Sequence, residues 1–143
     1  VNALGGSGAN LGVYDVGGVL GGTANALVIE MDPWNNGLLG PAAYLDNVWE
    51  QIHVITTNSR GELTERFEAS CQSHILEPRA VVVSYDGSHL TINHNGCTAL
   101  HSFPLDLNSI FDGPRVYMGL AGATGPLTST QEIWSWSFSQ ECD

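Results

Sequence analysis

The stretch ALVIEMDPWNN, residues 26–36, puts two carboxylates, Glu30 and Asp32, one alternation step apart on an apolar strand. Side chains two apart on a strand face the same way, so the two acids are neighbours. Carboxylates that close repel unless something cationic lies between them. The chain has only 4 lysines and arginines, which makes a divalent cation the simpler partner. The residues that follow add oxygen donors: Asn35, Asn36, backbone carbonyls and Asp46, with Glu50 as a rival to Asp46, and then His53 on the next strand. An oxygen-rich shell suits Ca²⁺. Carboxylates with one imidazole suit a transition ion such as Mn²⁺. A two-ion site sharing Asp32 and Asp46 would use all of these groups. The alternative is that Glu30 and Asp32 lie on the solvated face of an edge strand and His53 is an ordinary strand histidine.

These residues need strands to carry them and a loop to close over them. Residues 26–32 and 51–57 (QIHVITT) read as strands, the second by its alternation. Residues 33–50, with Pro, Asn-Asn-Gly, Gly-Pro and Asp-Asn, read as a long loop, which inside a domain is usually functional or pinned by a ligand. Residues 1–25 are rich in Gly, Asn and Ala, with GGSGANLG (5–12) reading as a surface loop, and residues 59–62 read as a turn. The stretch RAVVVSYDGSHLTINHNG, residues 79–96, predicts a hairpin through the Asp86-Gly87 turn. Residues 116–125 read as a strand entering a glycine loop. Residues 132–140, EIWSWSFSQ, alternate as a terminal strand, with Trp134 and Trp136 expected in the core. No capped helix of ordinary length is evident. Short strands punctuated by turns predict an all-β sandwich. No linker or repeat divides the chain, so residues 1–143 are expected to form a single domain.

Composition narrows the function. With 15 acidic residues and a formal charge of −11, the chain is a poor partner for nucleic acid phosphates and for anionic membrane surfaces. No apolar run approaches the roughly 18 residues of a membrane span. The opening VNALGGSGAN does not read as a secretory leader. Low lysine, four tryptophans and 17 glycines point to a secreted, extracellular setting, which permits disulfides. Cys71 and Cys97 are the candidate pair, leaving Cys142 free or bound to another chain. Asn95-Gly96-Cys97 is the rare Asn-x-Cys form of a glycosylation sequon. His89, His94 and His101 alternate in or beside the hairpin and are expected at the surface.

Four stretches, in order, resemble one known family. ALVIEMDPWNN resembles the metal-binding strand and loop of legume-type (L-type) lectins, VNALGGSGANLG the glycine loop upstream of it, RAVVVSYDGSHLTI the late hairpin, and VYMGLAGATGPLTSTQEIWSWSF the closing loop and strand. The resemblance implies a concanavalin-type jelly-roll sandwich holding adjacent Ca²⁺ and Mn²⁺ ions. It implies Glu30 and His53 on the transition ion, Asp32 and Asp46 bridging both, and Asn36 with the Trp34 carbonyl on calcium. Glycans would be bound by the Asn36 amide, the Trp34 ring, Gly8 or Ala9, and backbone near Pro126 and Leu127, although Pro126 has no N–H to donate.

The resemblance covers the C-terminal part of a lectin domain. The Ala-Asp-Gly stretch that carries the family's sugar-binding aspartate has no counterpart in the sequence. Pro33 stands where a threonine is usual, and Asp46 and His53 lie farther apart than is normal for the family. The sandwich is therefore expected to be incomplete or completed by another chain supplying N-terminal strands, as a homo- or hetero-oligomer. Related jelly rolls with a Glu-x-Asp-x-x-Glu strand are glucanases, but the last position here is Asn35. An enzyme, which needs two placed carboxyl groups, is not expected. The remaining alternative is a structural or assembly protein that keeps the sandwich without binding sugar.

Overall fold

A computed structural model describes residues 22–32, 51–70, 80–94, 101–122 and 130–140. Six strands and one short helix follow in order: β1 (Leu27–Asp32), β2 (Gln51–Thr57), β3 (Leu63–Ser70), β4 (Val81–Tyr85), β5 (His89–His94), β6 (His101–Pro104) and α1 (Leu107–Ile110). They form two antiparallel sheets, β1-β2-β3 and β4-β5-β6. The protein is all-β, as the alternation predicts.

The sheets meet through one face of each. In the first, Leu27, Ile29 and Met31 pair with Thr56, Val54 and Ile52. Ile52 and Val54 are fully buried and belong to one apolar cluster with Leu90 and Ile92 of β5, Leu105 and Ile110. Phe67 of β3 and Phe103 of β6 meet across the same interior, their ring centroids 5.2 Å apart, within the range of favourable aromatic pairs. β5 alternates cleanly: Leu90, Ile92 and His94 are buried, while His89 and Asn93 are exposed. β2 differs, being buried at every position from Ile52 to Thr57, so it is covered on both faces and its odd residues occupy a second protected layer.

Turn chemistry fixes both hairpins. Asn58 organises the β2–β3 turn: its Oδ1 accepts from the Arg60 and Glu62 backbone N–H at 2.9 and 3.0 Å, and its Nδ2 donates to Glu62 Oε2 at 2.8 Å. That last bond, with Arg60 nearby, holds the Glu62 carboxyl below its usual range. At the β4–β5 turn, Asp86 Oδ1 accepts from the His89 N–H at 2.7 Å, the Ser88 N–H at 2.8 Å and the Ser88 hydroxyl at 2.9 Å. Gly87 supplies the positive φ of 97° that the turn requires. Beyond β6, Asp106 caps α1 by accepting from the Asn108 N–H at 3.0 Å, and the helix returns Ile110 to the core.

Three expectations fail. Residues 112–122 and 130–140 join no sheet and are exposed throughout, so the strands expected at 116–125 and 132–140 are absent from the described parts of those segments. Trp134 and Trp136, expected in the core, are 76% and 57% exposed. The period-2 pattern encodes a half-buried strand, but a strand also needs a paired edge, and these residues pair with none of the described strands. His94, expected at the surface, is buried because it shares the inward parity of Leu90 and Ile92. His89 is exposed as expected.

Candidate functional site

β1 and β2 pair in a register that sets Glu30 directly opposite His53, with Val28 opposite Ile55 and Asp32 opposite Gln51. These positions point away from the intersheet core, because their neighbours Ile29, Val54 and Ile52 point into it. Glu30 is 6% exposed and His53 1%. Glu30 therefore does not lie on a solvated face, although β1 is an edge strand of its sheet. Glu30 Oε2 lies 3.0 Å from His53 Nδ1, within hydrogen-bond distance, so each of the two buried polar groups has a partner, as burial demands.

The same spacing fits a shared ion. Two ligand atoms at adjacent corners of an octahedron with bonds of about 2.1 Å are about 3.0 Å apart. The pair could thus exchange its direct contact for a common cation without movement of either strand. A carboxylate with an imidazole is the donor chemistry of a transition ion rather than of calcium.

The lead-in to β1 is tightly held. The Asn25 N–H donates to the Asn58 carbonyl and the Thr57 N–H to the Ala26 carbonyl, both at 2.9 Å. The Thr57 hydroxyl donates to the Thr23 carbonyl at 2.6 Å and accepts from the Ala26 N–H at 3.0 Å. Gly61, with φ of 77°, packs against the backbone of Gly22. Glu30 thus sits four residues beyond a segment clamped to the β2–β3 hairpin.

Glu30 and His53 are the expected site residues that the structure brings together. Asp32 stands at the end of β1, described by its backbone alone. Gly8, Ala9, Trp34, Asn36, Asp46 with its rival Glu50, Pro126, Leu127, the sequon at Asn95 and the cysteines Cys71, Cys97 and Cys142 lie outside the described residues. Among the described residues no group of three or more His, Cys, Asp or Glu side chains converges as a metal site. One backbone position went unnoticed in the sequence: Glu68 on β3 is the register partner of His53, so Glu30, His53 and Glu68 occupy one rung across three strands. Its signal was weak, because β3 (LTERFEAS) is too charged to read as a strand. An open cleft lined by Phe67, Ser88, Leu105, Asp106 and Ser109 includes none of these residues and brings together no pair of ionisable groups.

No curated protein and no solved structure matches the chain. The family model of the legume lectin domain matches residues 25–143, a span that begins at the clamped lead-in and includes both sheets. The chain therefore belongs to the legume lectin domain family.

Proposed function

We propose that this domain binds carbohydrate through a site organised by divalent cations, with Glu30 and His53 holding a transition ion. The legume lectin family is non-enzymatic, binds carbohydrate and generally holds calcium and manganese. The observation that carries the reading is the buried Glu30–His53 pair, 3.0 Å apart on paired strands. Its donor types and spacing suit manganese. Asp32 and Asp46 would bridge this ion to calcium, and Asn36 with the Trp34 carbonyl would complete the calcium shell. Bound, the ions supply fixed positive charge that neutralises the clustered carboxylates.

The chain's own groups then do the recognition. The Asn36 amide donates to a sugar hydroxyl. The Trp34 ring offers an apolar face to the sugar ring. Gly8 or Ala9 and the backbone near Pro126 and Leu127 would add hydrogen bonds to sugar hydroxyls.

The test joins elemental analysis to thermal melting. Purified protein should carry calcium and manganese near one equivalent each, lose stability in EDTA, and bind a glycan array only when the metals are restored. Metal-free protein that melts unchanged in EDTA and ignores glycans would leave the structural-protein alternative in its place.

A further inference from the structure

Trp134 and Trp136, whose alternation predicts core positions, stand in solvent, and so does Phe138: the three are 76%, 57% and 64% exposed. Residues 130–140 are exposed throughout and join no sheet. The three rings occupy every second position, with Ser135, Ser137 and Ser139 between and after them. From Ile133 to Gln140 no side chain is charged, in a chain whose formal charge is −11. The first ring is also oriented: the Trp134 indole N–H donates to Glu132 Oε2 at 3.1 Å. A run of open aromatic surface this dense is uncommon and marks a place where something binds.

From these observations we infer that residues 132–138 form a second glycan-binding surface, which needs no cation and takes a neutral polysaccharide by stacking its sugar rings on Trp134, Trp136 and Phe138. Three considerations favour that ligand. The first is charge. A chain this acidic repels anionic polymers and anionic lipid surfaces, and the uncharged window has no group to pair with a cationic one. A neutral ligand meets neither obstacle. The second is the mixture of surfaces. A pyranose with equatorial hydroxyls has an apolar C–H face and a polar rim. An exposed indole or phenyl ring matches the face, and the neighbouring serine hydroxyls can donate and accept at the rim. The third is preorganisation. A tryptophan side chain has only two torsions to fix, and the charge-assisted bond to Glu132 sets one indole before the ligand arrives, so less freedom is lost on binding. One ring makes a weak contact. Three rings of like parity, within at most about 14 Å of chain, engage successive sugars of one polymer, and linked weak contacts give stable binding. A short glycan covers too few of them, so the surface prefers long chains. It does not depend on the cation site at Glu30 and His53.

The experiment is native electrophoresis of the full chain in gels cast with hydroxyethylcellulose, xyloglucan or galactomannan, all neutral β-1,4-linked polymers, with and without EDTA. At a charge of −11 the chain migrates readily, and binding slows it. Wild type should be slowed by at least one polymer, and to the same degree in EDTA. Trp134→Ala/Trp136→Ala should bind at least roughly tenfold more weakly, from about 2- to 10-fold per stacked ring. Val82→Ser, at an exposed position of β4, should be slowed as wild type is. Wild type that no polymer slows in EDTA overturns the inference, as does a double variant slowed as much as wild type. Sedimentation of wild type with phosphatidylcholine vesicles, in place of polymer binding, would assign the indoles to a lipid surface and refute it too. Should the double variant not fold, oxidation of wild type by N-bromosuccinimide decides, read by mass spectrometry. Slower oxidation of Trp134 and Trp136 in the presence of polymer supports the surface, and unchanged oxidation refutes it. None of these outcomes bears on the cation site, whose own test is metal content.

Discussion

Replacing Gly61 with alanine tests how the strand bearing Glu30 is seated. Gly61 has φ of 77°, and a Cβ there would stand 2.5 Å from the Gly22 nitrogen and 2.6 Å from its carbonyl carbon. These are backbone atoms, with no flexible end to swing aside. The segment they belong to is tied down by the bonds of Thr23, Asn25 and Ala26 to Thr57 and Asn58. The left-handed conformation costs an L-residue about 1 kcal/mol, and forcing atoms into a filled site costs about 1–3 kcal/mol more. The stiffer unfolded chain returns ~0.5 kcal/mol. The net loss is about 1.5–3.5 kcal/mol. With a urea m-value of about 2 kcal/mol/M, the midpoint falls by about 0.8–1.8 M.

Gly87→Ala is the control. It has φ of 97° and nothing within 4 Å of its Cβ position, so it bears the conformational cost alone and moves the midpoint by less than about 0.5 M. Urea unfolding followed by circular dichroism measures both. Equal midpoint shifts for the two variants would refute the claim that close approach to Gly22 carries the larger cost.

Other consequences follow from single contacts. Glu30→Gln keeps the side chain's shape and its hydrogen bonding to His53, so metal-free melting should change little, while manganese affinity by titration should fall by at least roughly tenfold. Tyr85→Phe removes the hydroxyl that donates to the Leu105 carbonyl at 3.0 Å and should cost about 1 kcal/mol in denaturant, without altering metal binding. Asp86→Ala removes the acceptor of three turn hydrogen bonds. Because those bonds lower the folded-state pKa of Asp86 below the ordinary 3.8, its charge-dependent stabilisation is present above that value and is lost as pH falls below it. The melting difference between wild type and variant should therefore be constant near neutrality and shrink in acid.

What could be read from the sequence follows from what each signal encodes. β1, β2 and the β4–β5 hairpin were legible because alternation and an Asp-Gly turn are local properties, and Glu30 and His53 came with them. β3 was not, because Glu65, Arg66 and Glu68 mask its pattern and because the irregularity between Thr56 and Thr57 shifts its pairing. β6 is four residues long, too short for a periodicity to develop. α1 is no longer, and its one sequence signal was the capping Asp106. The C-terminal segments failed in the opposite sense. Their pattern states that one face should be covered, and pattern alone does not name the element that covers it.

The pairing of β1 with β2 ties the candidate site to the core so closely that neither can be specified alone. Ile52 and Val54 fill the intersheet core, and His53 between them faces the other way. Sliding β2 by one residue would turn His53 into that core and push both aliphatic side chains out of it, because strand side chains alternate with period two. Hydrophobic burial therefore selects the register, and the register delivers His53 to Glu30. The dependence also runs in reverse. A slipped pairing would bury an imidazole in an apolar layer and separate it from its carboxylate, adding the penalty of unpartnered polar groups to the lost apolar burial. The buried pair thus acts against misregister in the metal-free chain. A polar site on a sandwich strand is in this way consistent with a stable fold: its cost is met by the contact that also makes it competent for a cation.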